Sequence, residues 1–335
     1  MMAERGFRPQ PGVFPMSVLN IDPRYLANLL SVAKHGSFNR AAAARGISQP
    51  ALSNSIAQLE RRLGVQVLAR TRSGSRLNEF GKILVRTAHV IDAVMQQTID
   101  EVRLKRLGVE GPLRVGVVPS LAIKFMPEVM KVLLKQHGAL SITLVEGLDD
   151  HLLPALLSGE LDLVLGPLAG IFPASPEIVE DALFEDPFSI GVGPRHPLRN
   201  RRSLTLSELR DSPWILPLAA NSYRRHIEAL FMAEGIPWPE DCVHTSSLSL
   251  VESILAQSDR VTMITRMQAT MQNTWRIRSI PLKGGGKRII GIKRRRAGSL
   301  STLAARFVQI AHDVARTVTV PGAGAKAAVG HKAGV

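Results

Sequence analysis

The chain of 335 residues is 45% hydrophobic and 21% charged, which is long and apolar enough for about two domains with buried cores. It is too apolar to be disordered throughout, and it contains no run of ~18 uncharged apolar residues that would predict a transmembrane helix. The first residues also lack the hydrophobic run of a signal peptide. We therefore expect a cytoplasmic protein, in which Met16 is an alternative start and the residues before it form a disordered extension.

The net charge of +14 is distributed unevenly along the chain. Residues 1–107 carry 16 Lys and Arg against 7 Asp and Glu, residues 113–282 carry 15 against 19, and residues 283–335 carry 11 against 1. A basic head beside an acidic middle predicts a nucleic-acid-binding module next to a module with a different task. A basic surface that only keeps the protein soluble is the alternative.

Three short helices with clear boundary signals are predicted near the start of the chain. They follow the capping residues Asp22, Ser37 and Ser48, and each ends at a glycine. The third helix has an apolar stripe at spacings of four, three and four, made by Leu52, Ile56, Leu59 and Leu63. Its other face carries short polar side chains, so the second and third helices together predict a helix-turn-helix.

A β-hairpin is predicted after the third helix, because the strand-like runs VQVLAR and RLNEF flank Arg72-Ser73-Gly74-Ser75. Such a hairpin would form the wing of a winged helix-turn-helix. The region from Arg24 to Arg86 contains eleven Lys and Arg against two Asp and Glu, which is typical of a protein that neutralises phosphates. A solvated basic helical bundle is the alternative.

The run from Gly36 to Gly64, GSFNRAAAARGISQPALSNSIAQLERRLG, closely resembles the DNA-binding domain of LysR-type transcriptional regulators. Its Ser-Phe, Ala-Ala, Ser-Gln-Pro-Ala-Leu-Ser and Leu-Glu-x-x-Leu-Gly elements all stand in register. Departures from the usual residues of the family occur at Arg45, Ala69, Asn78 and Phe80.

The resemblance implies a winged helix-turn-helix over residues 21–78 that binds double-stranded DNA. The implied base or backbone contacts are Gln49, Pro50, Ser53 and Asn54, and the implied phosphate contacts are Ser37, Ser48 and Arg70. Arg72 in the wing is a further expected DNA contact. For the two serines, helix capping without any DNA contact is the alternative.

A long helix over residues 79–108 is predicted to connect the two modules. Apolar positions alternate at spacings of four and three along it, which predicts a coiled-coil seam made by Leu84, Ala88, Ile91, Met95 and Val102, with Thr98 as a polar interruption. A single amphipathic helix packed on its own domain would show the same pattern. The resemblance implies dimerisation through this helix, within a homodimer or a homotetramer. Gly108 and Gly111-Pro112 are predicted to mark a hinge.

From residue 113 to residue 318 the pattern changes to alternating strands and helices. The strand-like runs are LRVGVV, SITLVEG, DLVLG, FSIGVG, WILP, VTMIT and IIGIKRRR. Two α/β lobes are predicted, with the final strand and helix returning to the first lobe. This part resembles the periplasmic-binding-protein-like effector domain of the family. The expected fold is therefore α+β overall, with a winged helix-turn-helix, a linker helix, a two-lobed α/β domain and a disordered tail over residues 319–335.

A ligand is expected between the two lobes, at the carboxyl ends of the strands. Ser120 opens the helix after the first strand, so its hydroxyl could hold an anionic effector, although a simple capping role is the alternative. The full set of predicted effector-binding residues is Ser120, Gly147, Leu148, Asp149, Gly166, Pro167, Ser246 and Ser247.

The sequence contains no constellation that would support catalysis or a metal site. The nine histidines show no metal-ligand spacing, and Gly284–Lys287 lacks the other residues of a phosphate-binding loop. The run Lys293–Arg296 is either another DNA contact or a solvated stretch. The predicted function is a sequence-specific transcriptional regulator without a cofactor, controlled by a small-molecule effector, with RNA polymerase as a candidate partner. The alternative is a solute-binding module whose basic head serves only oligomerisation.

Overall fold

The computed structural model describes residues 21–71, 74–136, 138–168, 175–219, 222–269 and 277–319. The chain forms two compact units, which divide between Met95 and Gln96. None of the described helices is long and apolar enough to cross a membrane. The predicted N-terminal extension, the wing residue Arg72 and nearly all of the predicted disordered tail lie outside the described residues.

Three helices and a two-stranded hairpin form most of the first unit, as predicted. Their bounds are α1 Pro23–His35, α2 Phe38–Arg45, α3 Gln49–Leu63, β1 Leu68–Thr71 and β2 Gly74–Leu77. Asp22 caps α1 by accepting a hydrogen bond from the N–H of Arg24, and Ser48 caps α3 by accepting one from Ala51. Ser37 occupies the capping position of α2, but its hydroxyl makes no capping hydrogen bond, which corrects the capping role predicted for it.

The apolar stripe of α3 anchors the core of the first unit. Leu52, Ile56 and Leu59 are buried against residues of α1 and α2, and Leu63 packs at the edge of the same cluster. The turn between α2 and α3 is tight because Gly46 adopts a φ of 66°, which disfavours residues with a side chain. These features confirm the predicted helix-turn-helix.

The long connecting helix is α4, Glu79–Arg106. Asn78 begins it: its side-chain carbonyl accepts a hydrogen bond from Gly81, and its amide donates one to the carbonyl of Gln66 on the approach to β1. Gly111 and Pro112, predicted to lie in a hinge, are instead the second and third residues of the strand that follows.

Among the described residues, nine strands form the sheet of the second unit. Their bounds are β3 Glu110–Val117, β4 Leu140–Glu146, β5 Leu163–Pro167, β6 Ile178–Val192, β7 Trp214–Leu216, β8 Cys242–His244, β9 Val261–Thr265, β10 Arg278–Pro281 and β11 Lys287–Arg295. The strand order is β4-β3-β5-β11-β6-β9-β7-β8, and β10 also pairs with β6. The helices between and after them are α5 Pro119–Ala122, α6 Phe125–Gln136, α7 Asp149–Ser158, α8 Ser222–Ala233, α9 Leu248–Leu255, α10 Arg266–Ala269 and α11 Thr302–Thr319.

This sheet belongs to two lobes with separate hydrophobic cores. Strand β6 runs through both, because Phe184 is buried in the core of the first lobe and Phe188 in the core of the second. Strand β11 pairs with β5 and β6, and α11 buries Phe307 in the first core. The predicted return of the final strand and helix to the first lobe is therefore confirmed.

The acidic middle of the chain and its basic C-terminal part meet in the antiparallel pair of β6 and β11. Lys287 and Arg288 form ion pairs with Glu185 and Asp186 of the neighbouring strand. In the run Lys293–Arg296, Lys293 is buried beside Asp149, and Arg295 donates hydrogen bonds to the carbonyls of Leu156 and Leu161. Both predicted roles of this run, a DNA contact and a solvated stretch, are therefore wrong for these two side chains.

Candidate functional site

The outer face of α3 carries polar side chains that the fold does not use. By contrast, Ser55 and Gln58 lie on the side of α3 that faces α1, where they pair with Asn28 and with the hydroxyl of Tyr25. The predicted base contacts are all exposed: Gln49, Pro50, Ser53 and Asn54. Within the described part of the chain, the three polar members of that set make no side-chain hydrogen bonds. Their donors and acceptors are therefore open to base edges in a DNA major groove.

The other predicted DNA contacts lie at the ends of α2 and α3 and in the hairpin. Ser48 is exposed at the start of α3, and Ser37 is half-buried before α2. Arg70 lies on β1, opposite Ser75 of β2. The departure at Arg45 has a structural explanation, since its guanidinium donates a hydrogen bond to the buried Asn28 of α1.

The predicted dimer seam on α4 divides into two parts. Leu84, Ala88 and Ile91 pack in the hydrophobic core of the first unit, and Ala88 is only 2% exposed. The burial of Ala88 corrects its assignment to a dimer interface, and the packing of the half-buried Leu84 and Ile91 on the same core matches the alternative of a helix packed on its own domain. The apolar residues further along α4 are different, because Met95, Ile99 and Val102 are more than half exposed. For Met95 and Val102 the dimer assignment stays a prediction.

A cleft of about 750 Å³, its open mouth included, lies between the two lobes of the second unit. Residues at or just after the carboxyl ends of β3, β5, β7 and β8 line it, which is the location predicted for a ligand. The apolar lining residues are Val118, Pro119, Leu148, Pro167, Ile215, Leu216, Pro217, Leu248, Val251, Met263 and Ile264. A largely apolar wall with a few polar groups is typical of a site for a small organic molecule.

Five of the eight predicted effector-binding residues line this cleft. They are Ser120, Leu148, Asp149, Pro167 and Ser246. The other three, Gly147, Gly166 and Ser247, do not line it. Gly166 leaves room for Val118, which lines the cleft, because a Cβ atom at Gly166 would lie only 3.0 Å from a methyl group of Val118.

Arg288, one of the residues that line the cleft, belongs to a buried ion pair. The Nε and Nη2 groups of Arg288 donate hydrogen bonds of 3.1 and 2.9 Å to the same carboxylate oxygen of Asp186. The other carboxylate oxygen accepts a hydrogen bond from the backbone N–H of Met267 at 2.9 Å. The Arg288 and Asp186 side chains are only 4% and 1% exposed, so each charge depends on the other for its stability.

Arg288 also contacts groups on both sides of the cleft. Its Nη2 donates a 2.8 Å hydrogen bond to the hydroxyl of Ser120, in the first lobe. In the second lobe, the ring centre of Tyr223 lies 5.4 Å from the guanidinium carbon. Burial raises the pKa of Tyr223 well above its ordinary value, so its phenol stays neutral and donates to the carbonyl of Met263.

The second charged residue that lines the cleft, Asp149, also belongs to a buried ion pair. Its carboxylate lies 3.4 Å from the ammonium group of Lys293, and both side chains are largely shielded from solvent. Because Arg288 and Asp149 each have a partner of opposite charge, the wall of the cleft is close to electrically neutral.

Hydrogen-bond donors remain open where α9 begins. Ser247 caps this helix by accepting a hydrogen bond from the N–H of Leu250. The neighbouring hydroxyl of Ser246 is buried and has no hydrogen-bond partner among the described residues. The first N–H groups of the helix, at Leu248 and Ser249, have no carbonyl partner within it. Buried polar groups are normally satisfied, so this arrangement indicates a place for a ligand with hydrogen-bond acceptors.

The cleft residues Tyr223, Gln268 and Arg288 were not predicted from the sequence, and neither was Asp186, the buried partner of Arg288. Asp186 and Arg288 are 102 residues apart and meet only because β6 and β11 pair in this register. The signal that was available is the complementary charge of the acidic and basic runs that contain them.

Together, the open polar face of a winged helix-turn-helix and a ligand-sized cleft in a second domain define a DNA-binding regulator that responds to a small molecule. Two family models match the chain: that of the bacterial regulatory helix-turn-helix proteins of the lysR family over residues 23–82, and that of the LysR substrate binding domain over residues 106–316. The chain belongs to the LysR family of DNA-binding transcriptional regulators with an effector-binding domain. This membership favours the regulator over a solute-binding module with a basic oligomerisation head.

Individual relatives agree with this assignment. The HTH-type transcriptional regulator GbpR of Azospirillum brasilense is 30% identical over 73% of this chain and 72% of its own length. Among solved structures, a full-length OxyR variant from Pseudomonas aeruginosa is 22% identical, with a TM-score of 0.61 over 89% of this chain and 95% of that one. Full-length CbnR in complex with its target DNA is 20% identical, with a TM-score of 0.60 over 88% and 99%. The two structures show that the fold is shared.

Cys242, the one cysteine of the sequence, lies on β8 in the second lobe. Its thiol donates a hydrogen bond to the carbonyl of Pro239, and partial burial raises its pKa, so it stays protonated. A disulfide within one copy of this chain is excluded.

Proposed function

We propose that the outer face of α3 reads the bases of double-stranded DNA, while the cleft between the lobes binds the small-molecule effector through Ser120 and Ser246. The observation that carries this proposal is the presence of two separate sets of polar groups that the fold leaves unused. One set lies on α3, and the other lies where α9 begins, in a largely apolar cleft. Phosphate contacts from Ser37, Ser48, Arg70 and Arg72 would position the domain on the duplex.

Replacing Gln49 by Ala is expected to relax base discrimination. A glutamine can pair bidentately with adenine in the major groove, and the loss of such a contact costs ~1–3 kcal/mol of discrimination against the wrong base. The binding site is first selected from random DNA with the wild-type protein. Fluorescence anisotropy then compares the affinity for this site with the affinity for each of its single-base variants.

The matched control is Gln309→Ala, since Gln309 is an exposed glutamine on α11, in the other unit of the chain. It should bind every duplex as the wild type does. If Gln49→Ala keeps the full wild-type preference at each base pair, α3 does not read the sequence through this residue.

Ser120→Ala and Ser246→Ala are expected to weaken effector binding while leaving DNA affinity without the effector unchanged. Each substitution removes a hydroxyl that lines the cleft, and a lost hydrogen bond of this kind costs ~0.5–1.5 kcal/mol. A thermal-shift screen of small metabolites finds the compounds that bind the full-length protein, and calorimetry then measures their affinity for both variants.

The control is Ser253→Ala, because the Ser253 hydroxyl is exposed and, among the described residues, bonds only to the carbonyl of Ser249 in its own helix. Loss of DNA affinity in Ser120→Ala or Ser246→Ala, with the fold intact, would contradict the proposed separation of the two sites. Equal effector affinity in the wild type and in these three variants would show that the effector binds elsewhere.

Further parts of the proposal concern the assembly and its setting. Two chains are proposed to pair, within a homodimer or a homotetramer, through Met95 and Val102 of α4, as the coiled-coil pattern predicts, and through Ile99, which lies between them and is exposed as they are. The assembly would act on DNA in the cytoplasm, with RNA polymerase as a candidate partner and no catalytic activity of its own. The structure of the relative CbnR with its target DNA supports the proposed DNA contact.

A further inference from the structure

Because Arg288 donates a hydrogen bond to the hydroxyl of Ser120, this hydroxyl is left to bind a ligand as a hydrogen-bond donor. The Ser120 oxygen accepts a hydrogen bond from Nη2 of Arg288 at 2.8 Å, and a guanidinium has no acceptor to offer in return. The hydroxyl proton of Ser120 therefore has to point elsewhere, and no described residue accepts it. Because Ser120 lines the cleft, this proton is available to an acceptor group of the effector.

The ion pair with Asp186 limits how much negative charge the cleft can hold. Two N–H groups of Arg288, Nε and Nη2, donate to one carboxylate oxygen of Asp186, whose negative charge compensates the positive charge of the guanidinium. The ammonium group of Lys293 is compensated in the same way by Asp149. Of the charged residues that line the cleft in the described structure, none is a cation without an acidic partner.

The position of Arg288 makes it rigid as well as buried. It is held by Asp186 on the neighbouring strand, by the ring of Tyr223 and by the more distant hydroxyl of Thr265. Asp186 is itself fixed by the N–H of Met267 at the start of α10. The direction of the Arg288–Ser120 hydrogen bond is therefore set by the fold before any ligand arrives.

From these observations we propose that Arg288 is a positioning residue for effector specificity: it holds Ser120 as a hydrogen-bond donor, and together with Asp186 it restricts the effector to an acceptor headgroup with at most one negative charge on an apolar body. A carboxylate that carries a single charge fits best, because the open N–H groups of α9 also favour a partial negative charge. An ammonium group offers no acceptor to Ser120, and a second carboxylate finds no unpaired cation. This inference rests on the proposed effector site.

The test uses two matched series of ligands on the full-length protein, measured by calorimetry. One series is hexanoate, hexanamide, hexylammonium and adipate, and the other is phenylacetate, phenylacetamide, phenethylammonium and 1,4-phenylenediacetate. In at least one series we expect the monocarboxylate to bind at least about tenfold more tightly than the ammonium compound and the dicarboxylate. The uncharged amide, which still offers an acceptor, is expected to rank second.

Two variants separate a positioning role from a merely structural one. Arg288→Lys lacks the planar fork that reaches both Asp186 and Ser120, so the preference for carboxylate over ammonium is expected to fall about tenfold. Asp186→Asn leaves Arg288 uncompensated, so the affinity for the dicarboxylate relative to the monocarboxylate is expected to rise about tenfold. A loss of packing alone would weaken all four ligands of a series together. Circular dichroism confirms at the temperature of measurement that each variant is folded.

Several results would overturn the proposal. They are unchanged ligand ratios in both variants, wild-type binding of the ammonium compound or the dicarboxylate as tight as that of the monocarboxylate, and no binding of any of the eight compounds. If the metabolite screen finds an effector with an ammonium group or two carboxylates, and Ser120→Ala and Ser246→Ala still weaken it, only this inference fails. If those two substitutions leave effector binding unchanged, the proposed effector site itself is wrong.

Discussion

Replacing Arg288 by Met is expected to destabilise the effector-binding domain by about 3–5 kcal/mol, because it leaves the carboxylate of Asp186 buried without a counter-charge. The Asp186 side chain is 1% exposed, so water cannot take the place of the lost guanidinium. All three tryptophans of the chain lie in the sequence of the effector-binding domain, at Trp214, Trp238 and Trp275. Their fluorescence during urea unfolding of the full-length protein therefore reports on this domain.

The control for this prediction is the double variant Asp186→Asn/Arg288→Met. It removes both charges and keeps a side-chain carbonyl that can accept the hydrogen bond from the N–H of Met267. We expect it to recover most of the lost free energy of unfolding, since a neutral pair in a buried site carries no penalty for an unpaired charge. If the single variant is as stable as the wild type, the ion pair does not support the domain.

Aspartate at two positions of α4 is expected to have two different effects: loss of stability of the DNA-binding domain at one position, and dissociation of the proposed dimer at the other. Ile91→Asp places a charge against the core of the DNA-binding domain and is expected to destabilise that domain on the order of 2–3 kcal/mol. Ile99→Asp changes a side chain that is 57% exposed in a single chain, so the folded chain should tolerate it. It is instead expected to dissociate the proposed dimer, because pairing would bury that charge without a partner.

Hydrogen exchange and sedimentation distinguish these two outcomes. Peptides from α1 and α3 are expected to exchange faster in Ile91→Asp, whereas Ile99→Asp should keep wild-type exchange there and sediment as a monomer. Gln96→Glu, an exposed change on the same helix, controls for the added negative charge. An intact dimer in Ile99→Asp would remove this part of α4 from the proposed interface.

Features that depend on neighbouring residues could be predicted from the sequence. The helices of the DNA-binding domain begin after Asp22, Ser37 and Ser48 and end before glycines in the left-handed conformation, and their bounds follow these signals closely. Strand β9 spans the apolar run VTMIT as predicted. Capping and short apolar runs act within a few residues, so the sequence displays their cause directly.

Features that depend on residues far apart in the sequence could not be predicted, because no short stretch of the sequence displays their cause. The first nine residues of β6 include Glu180, Asp181, Glu185 and Asp186, an acidic composition that is unfavourable for a strand when it is judged locally. It forms a strand because β11 supplies an antiparallel partner whose basic residues pair with the acidic ones. The same limitation affected α4, where one apolar spacing fitted both a dimer seam and the domain's own core.

The return of β11 and α11 to the first lobe has a consequence for how the protein is made. Synthesis proceeds from the N-terminus, and domains generally fold as units as they emerge from the ribosome. The first lobe receives Ile290, Ile292 and Phe307 from the final strand and helix, whereas the last residue in the core of the second lobe is Leu282. The second lobe can therefore fold first, while the part of the first core that β11 and α11 cover stays exposed. A chain that ends early would keep its DNA-binding domain but expose an unfinished core to chaperones and proteases.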